Sequence, residues 1–429
     1  MDKYFRLTEN GTNVKTEIIA GITTFMTMAY ILVVNPGILS DAGMDFGAVF
    51  TATALASLIA TAISGLYAKL PFAQAPGMGL NAFFAYTVVI GMGYSWQFAL
   101  TAVFLEGIIF ILMTVVNIRE AIIDSIPDNI KKSISVGIGL FIAFIGLVNA
   151  NVIVRPESGV IVGLGDVTSG NGLLAVIGII VTGILLAKKV KGALLIGIIA
   201  TTVIGIPMGI TSLPETFFSL PPSLRPIFLK FEWNNIFTVD MFVVLFTLLF
   251  MDMFDTVGTL VGVATKANML DSKGKVPRAK QALLADAIGT TVGACLGTST
   301  VSTYVESAAG VAEGGRTGLT ALSTSFMFAI SLLLSPIFIM IPSPATAPSL
   351  ILVGLFMLSP IKEIELDDFT EAIPAFLTII MMPLTYSISD GIVFGIVSYV
   401  LIKVLVGRAK EVSVATFLVG ALFILKFFV

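Results

Sequence analysis

Five carboxylates lie inside long apolar stretches: Glu106, Asp252, Asp255, Asp286 and Glu306. An ionisable group in a membrane span costs roughly 2.5–3.5 kcal/mol on insertion scales, so it is a functional candidate by default. No lysine or arginine occupies the middle of these stretches. Each acid must therefore face a polar cavity, take up a proton or meet a ligand. Asp252 and Asp255 stand three residues apart, which puts them on one helix face, and Thr256 and Thr259 extend that polar stripe. Glu306 lies in Ser302-Thr-Tyr-Val-Glu-Ser-Ala-Ala-Gly310, where an interrupted backbone lets a carboxylate accept N–H groups from a planar heterocycle. Ser302, Thr303 or Ser307 could equally cap the helix beginning there. Asn81 is the polar counterpart in Pro71-Phe-Ala-Gln-Ala-Pro-Gly-Met-Gly-Leu-Asn-Ala-Phe-Phe84, and its amide both donates and accepts. Gly77 and Gly79 permit close backbone approach, and Gln74 is a weaker candidate. Thr23, Thr24 and Thr27 share a face of the first apolar run, Thr27 deepest. Phe25, Phe83 and Phe84 could stack on an aromatic ligand. Glu106 and Asp286 flank the interrupted stretches and are expected to make structural hydrogen bonds.

These residues must be positioned by membrane elements. Hydrophobic residues make up 56% of the 429 residues and charged ones 12%, with a mean hydropathy of +1.01. Soluble domains carry about a quarter charged residues, so this chain is read as a polytopic membrane protein. Nothing in it suggests a nucleic-acid surface. The absence of histidine excludes imidazole metal sites, a Ser-His triad and a histidine relay, leaving carboxylates to carry protons. Cys295 is the only cysteine, which rules out an internal disulfide and leaves no thiol metal site; no cofactor or metal is expected. The polar N-terminus followed by a run long enough to span is read as lacking a cleaved signal peptide.

Hydropathy predicts spans at 17–39, 47–68, 76–91, 97–117, 131–149, 172–187, 192–209, 239–262, 280–297, 301–314, 317–341, 345–359, 369–386 and 388–407. The segments near 80 and 306 fall short of the roughly 20 residues of a full crossing. A last apolar stretch, 412–429, could be a tilted terminal helix or lie along the interface. Nearly all lysines and arginines fall in segments that would be cytoplasmic with the N-terminus inside; the outside loops hold only Arg155, Arg225 and Lys230. The loop 264–280, with five basic residues, reads as a cytoplasmic anchor. The interrupted segments start at 71 and 297, and the spans two before them at 17 and 239. Seven spans separate each pair, and an odd number reverses insertion. The halves are thus expected to be inverted repeats whose broken helices meet near the midplane, where irregular backbone is tolerated only beside a cavity.

Thr23-Thr-Phe-Met-Thr-Met-Ala-Tyr-Ile31, Ala75-Pro-Gly-Met-Gly-Leu-Asn-Ala-Phe-Phe84, Phe254-Asp-Thr-Val-Gly-Thr-Leu260 and Tyr304-Val-Glu-Ser-Ala-Ala-Gly310 with Gly314-Gly-Arg-Thr-Gly-Leu-Thr320 resemble the AzgA-type purine permeases of the nucleobase–cation symporter (nucleobase–ascorbate transporter) family. The resemblance runs over essentially the whole chain. It implies an all-α polytopic fold of 14 transmembrane segments in a 7+7 inverted repeat, with short strands and half-helices in spans 3 and 10. It also implies a core domain of residues 1–130 and 239–343 and a gate domain of residues 131–238 and 344–429. The family's substrate positions fall on Asp255, Glu306, Asn81 and Gly79, with Asp252 as the accessory acid. Thr259 stands where uracil carriers often have histidine, a departure that fits the purine branch.

The combined expectation is a non-enzymatic secondary transporter in the cytoplasmic membrane, importing hypoxanthine, guanine or adenine by proton symport with alternating access. Glu306, Asp255, Asn81, Gly79, Asp252, Thr27, Thr259 and Ser307 form the expected substrate site, with Asp255 and Glu306 carrying the coupled proton. The resemblance further implies a homodimer through the gate. One rival is an anion carrier or channel of the sulfate type, which the acids would oppose. A membrane-embedded enzyme is the other, and the missing histidine and nucleotide motifs count against it.

Overall fold

The computed structural model describes residues 2–116, 127–156, 161–214, 216–266, 269–270 and 276–426. Residues 267–268 and 271–275 of the expected basic loop at 264–280 lie outside these residues. Within them all fourteen expected segments are present, nearly all helical.

Span 1 is the apolar stretch Val14–Asp41. It opens where the Asn13 side chain accepts from the Thr16 N–H, and it divides into Val14–Met28 and Ile31–Asp41 with Ala29 and Tyr30 between. Asp45 caps span 2, Phe46–Ala68, whose last turn widens into a π-helix before Lys69 turns left-handed at φ 58°. Pro71 and Pro76 then deny the chain a continuous helix. Gln74–Pro76 is extended as β1, followed by the helical turn Met78–Ala82 and a π-helical stretch Phe83–Gly91; together these make span 3. Span 4 is Trp96–Val115, capped by Ser95. Spans 5, 6 and 7 are Asp128–Asn149, Gly170–Ala187 and Ala193–Gly205, with a small hairpin of β2 (Ile153–Val154) and β3 (Gly163–Leu164) after span 5.

The second half repeats the plan. Span 8 is Val239–Lys266 and span 9 Ala279–Leu296. Gly297, at φ 99°, ends span 9 in a conformation that a side chain resists. The chain then runs as β4, Val301–Thr303, into the half-helix Ser307–Ala312, and these form span 10. Span 11 is Gly318–Leu333 with a short continuation Ser335–Ile339; span 12 is Ser343–Met357; spans 13 and 14 are Phe369–Thr385 and Ile388–Leu405. The final apolar stretch forms Val414–Lys426, shorter than a full crossing, packed on span 14 with Phe423 against Phe246 of span 8.

Two packing groups result. Span 9 lies on spans 2 and 4, span 11 on spans 1 and 2, and span 8 on span 4 and on β4. Separately, span 5 lies on spans 12 and 13, span 13 on span 14, and span 6 on spans 7 and 12. The segment between spans 7 and 8 crosses the ends of the first group. The Leu229 N–H reaches the Cys295 carbonyl at 2.9 Å, and the Glu232 N–H reaches the Thr101 hydroxyl at 2.8 Å.

Candidate functional site

The two broken spans meet strand to strand. β1 pairs antiparallel with β4 in the register Gln74↔Thr303, Ala75↔Ser302 and Pro76↔Val301. The pairing is extended by the Gly77 N–H to the Thr300 carbonyl and the Tyr304 N–H to the Ala73 carbonyl, both at 3.0 Å. Three-residue strands cannot hold together alone, and side chains of span 10 and span 2 secure them. The Tyr304 hydroxyl donates to the Pro76 carbonyl at 2.6 Å. Ser307 accepts the Ala73 N–H at 3.0 Å, and Gln74 exchanges backbone hydrogen bonds with the Thr61 hydroxyl at 2.9 Å.

Residues 298–303 carry five hydroxyls, and between them they reach four other spans. Thr298 accepts from Asn35 of span 1 at 2.9 Å, Ser299 donates to the Asn81 side-chain oxygen, and Thr300 donates to Glu106 of span 4 at 2.5 Å. Ser302 donates to Asp255 of span 8 at 2.9 Å, and Thr303 accepts from Gln74 at 3.3 Å. A strand buried in a bilayer must satisfy its polar groups internally, and this run of Ser and Thr does so while setting acids around the junction.

The expected site residues fall into three places. Asp255, Glu306, Asn81, Gly79 and Ser307 surround the strand pair. Asp255 is solvent-accessible although it lies midway along a long apolar helix, and Glu306 is half-buried just past β4. Glu306 accepts from the Tyr30 hydroxyl at 2.7 Å and makes no cap to its own half-helix. Asn81 is fully buried; Ser299 holds its oxygen, while its NH2 group has no hydrogen-bond partner among the described residues. Gly79 is partly open, and an added Cβ there would come 2.8 Å from Ile138 of span 5. Thr27 lies at the edge, donating to the Thr24 carbonyl at 2.8 Å and 3.5 Å from the main-chain oxygen of Glu306. Thr259 is half-buried one turn beyond Asp255. Asp252 belongs to a different, fully buried cluster, in which the Thr256 hydroxyl lies 3.0 Å from Asp252 and 3.2 Å from Asp286. The rings of Phe83 and Phe84 are buried in the core, and Phe25 packs on Phe328.

The profile described as "Permease family", Xan_ur_permease, matches residues 15–394. The chain belongs to that family. Guanine/hypoxanthine permease PbuG of Bacillus subtilis (strain 168) is 46% identical to this permease over 439 residues, 100% of this chain and 99% of PbuG. Adenine permease AdeP of Escherichia coli (strain K12) is 42% identical over 427 residues, 99% of this chain and 95% of AdeP. The resemblance to the AzgA-type permeases therefore holds along the entire chain. Among solved structures, the transmembrane domain of a cyanobacterium bicarbonate transporter, BicA, superposes with a TM-score of 0.68 at 16% identity, covering 88% of this permease and 97% of that chain. At that identity the match speaks for the fold alone, and it is the fold expected from the sequence: an all-α membrane protein built as a seven-plus-seven inverted repeat.

Two residues that touch the acids, Tyr30 and Ser302, were not among the site residues expected for this permease, and neither was the buried carboxylate Glu17. Tyr30 is a tyrosine mid-span, away from the interface where such residues usually sit, and that position was the available signal. Ser302 was considered only as a helix cap, yet its hydroxyl serves Asp255. Glu17, at the start of span 1, is fully buried and receives the backbone N–H groups of Arg316, Thr317 and Thr320, at 2.9, 3.3 and 3.0 Å. Nothing local distinguishes it from an ordinary helix-start carboxylate.

Proposed function

We propose that this permease imports purine nucleobases of the hypoxanthine, guanine or adenine type across the cytoplasmic membrane, coupled to protons. The observation that carries the reading is the gathering of two carboxylates and the unpartnered NH2 group of Asn81 at the strand junction. Glu306 and Asp255 provide acceptors for ring and exocyclic N–H groups, and the Asn81 NH2 provides a donor for a ring nitrogen or carbonyl. A flat base with donors on one edge and acceptors on another suits such a set. The names of the relatives, adenine and guanine/hypoxanthine permeases, support the same substrate class.

Coupling to protons rests on the chemistry of the groups available. The sequence has no histidine, and no lysine or arginine stands in the middle of the spans bearing these acids. A proton is then the lightest cation that can neutralise Asp255 or Glu306 while the site crosses the barrier. Movement is assigned to the two packing groups. Spans 1–4 and 8–11 act as the core that carries the base, and spans 5–7 and 12–14 act as the gate, through which two copies would pair. Because Gly79 of the core faces Ile138 of the gate, sliding of one group past the other would expose the site first to one side and then to the other. The distribution of basic residues supports a cytoplasmic N-terminus. An anion carrier on the same fold is disfavoured, since two acids beside the site would repel its substrate.

Uptake of labelled hypoxanthine, guanine and adenine in cells lacking their own purine carriers tests the reading, with labelled sulfate as the contrast. The expected result is saturable purine uptake, abolished by a protonophore and by Glu306→Gln, with no sulfate uptake. Normal transport by the Gln variant would remove Glu306 from the site.

A further inference from the structure

We propose that Tyr30 is the positioning residue for the substrate acid Glu306: span 1, and not the half-helix on which Glu306 sits, fixes where its carboxylate points. This rests on the reading of Glu306 as a substrate-binding acid. The Tyr30 hydroxyl donates to Oε1 of Glu306 at 2.7 Å. Its ring is 1% exposed, and a packed tyrosine has only two torsions, so burial of the ring fixes the hydroxyl in space. The Glu306 side chain caps nothing in Ser307–Ala312, so that half-helix does not aim it. A glutamate has three torsions of its own, and without a partner the carboxylate would sample several rotamers.

Independent contacts show why span 1 can serve as the reference frame. Its first helical piece lies directly on the half-helix. A Cβ added at Gly310 would come 2.1 Å from the Thr24 hydroxyl and 2.6 Å from the Ala20 carbonyl, distances possible only between a glycine and bare backbone or a small side chain. The Thr27 hydroxyl approaches the Glu306 main-chain oxygen at 3.5 Å. The half-helix is therefore packed directly on span 1. Tyr30 stands where the helix is interrupted, between Val14–Met28 and Ile31–Asp41, and reaches across from that break. Because Tyr30 holds Oε1, Oε2 of Glu306 is left for an N–H of the base. Tyr304 is the natural control. It too is buried, but its hydroxyl donates to the Pro76 carbonyl and not to an acid.

The test is a double-mutant cycle on hypoxanthine binding by the purified full-length permease in proteoliposomes, using wild type, Y30F, E306Q and Y30F/E306Q, with Y304F as the control. A charge-assisted hydrogen bond lost at a binding acid weakens affinity on the order of tenfold. Y30F should therefore bind about tenfold more weakly, and the double variant no more weakly than E306Q alone. Wild-type affinity in Y30F, or losses that multiply in the double variant, would overturn the proposal. Where E306Q binds too weakly to complete the cycle, the Glu306 carboxylate band is assigned in the infrared difference spectrum by its loss in E306Q. That band should shift in Y30F and stay in place in Y304F; an unshifted band in Y30F refutes the role. If Y30F does not fold, the band is read in Y304F protein carrying ring-fluorinated tyrosine, whose hydroxyl is a stronger donor, and an unmoved band again refutes it. Failure of the wild type to bind any purine would bring down the functional reading together with this one. Purine binding with an additive cycle removes only Tyr30.

Discussion

The hydroxyl of Ser302 lies 2.9 Å from Oδ2 of Asp255, so the strand of span 10 is tied to the acid of span 8 by a single hydrogen bond. Asp255 is thereby held beside the same strand that leads to Glu306. Removing that hydroxyl should leave the acid present but loose. S302A is expected to lower initial uptake rates about tenfold, the scale of one hydrogen bond to a charged group. D255N, which cannot exchange a proton, should abolish accumulation against a gradient. Initial-rate and counterflow measurements in proteoliposomes separate the two effects, and unchanged accumulation by D255N would take the acid out of coupling.

Gly310 admits no side chain. A methyl there would lie 2.1 Å from the Thr24 hydroxyl and 2.6 Å from the Ala20 carbonyl. G310A should push the half-helix off span 1 and cost on the order of 1–3 kcal/mol, the usual range for overpacking. Transport should fall more than stability does, because Glu306 rides on that half-helix. Comparing the uptake rate with the thermal unfolding midpoint of G310A checks the order of the two losses.

Glu17 makes a second seam between the halves. Besides the three backbone N–H groups at the start of span 11, it receives the hydroxyls of Thr317 and Thr320, at 2.8 and 2.7 Å. E17A would leave these donors buried without an acceptor, which costs about 3 kcal/mol even after partial relaxation. A clear drop in the unfolding midpoint is expected for E17A, with E17Q intermediate because the amide oxygen still accepts. An E17A protein as stable as wild type would show that water takes over the cap.

A cluster at the ends of spans 13 and 14 governs behaviour in acid. Arg408 meets Asp368 at 2.6 Å and Glu411 at 2.7 Å. Hydrogen bonds from Arg408 hold Asp368 down from its usual 3.8 to about 2 and Glu411 down from 4.5 to about 2. Both pKa values are depressed on folding, so the stabilisation is complete above the unfolded values and is lost as pH falls through the folded ones. The link between span 13 and the segment leading to the terminal helix should therefore hold at pH 5 and loosen between about pH 4 and 2. Because these groups are at least partly exposed to water, the energetic effect is small, and limited proteolysis near residue 411 at stepped pH is the sensitive readout. R408A should become cleavable at neutral pH.

How far the fold could be read from the sequence differs from element to element. Pro71, Pro76 and Gly77 break span 3 wherever they are placed, because proline lacks an N–H and fixes its own φ. The shortness of the stretch near 306 is likewise a local fact. Span positions and the reversal between halves follow from bilayer thickness and residue counting. The unusual acids stood out because charge is rare in such surroundings. The interruption of span 1 at Ala29 and Tyr30 was not legible, since neither proline nor glycine marks it; it lies where the first piece ends its packing against span 10.

The sequence by itself determined which polar groups enter the membrane and where the helices cannot continue, because both depend on a residue's own chemistry and that of its near neighbours. Only the tertiary structure decided which of those groups meet: Ser302 with Asp255, Tyr30 with Glu306, Thr256 between Asp252 and Asp286, and Glu17 with the start of span 11. The reason is physical. A hydrogen bond depends on tenths of an ångström and on direction, and these pairs join segments whose separation in the chain carries no geometric information until two inverted halves have docked.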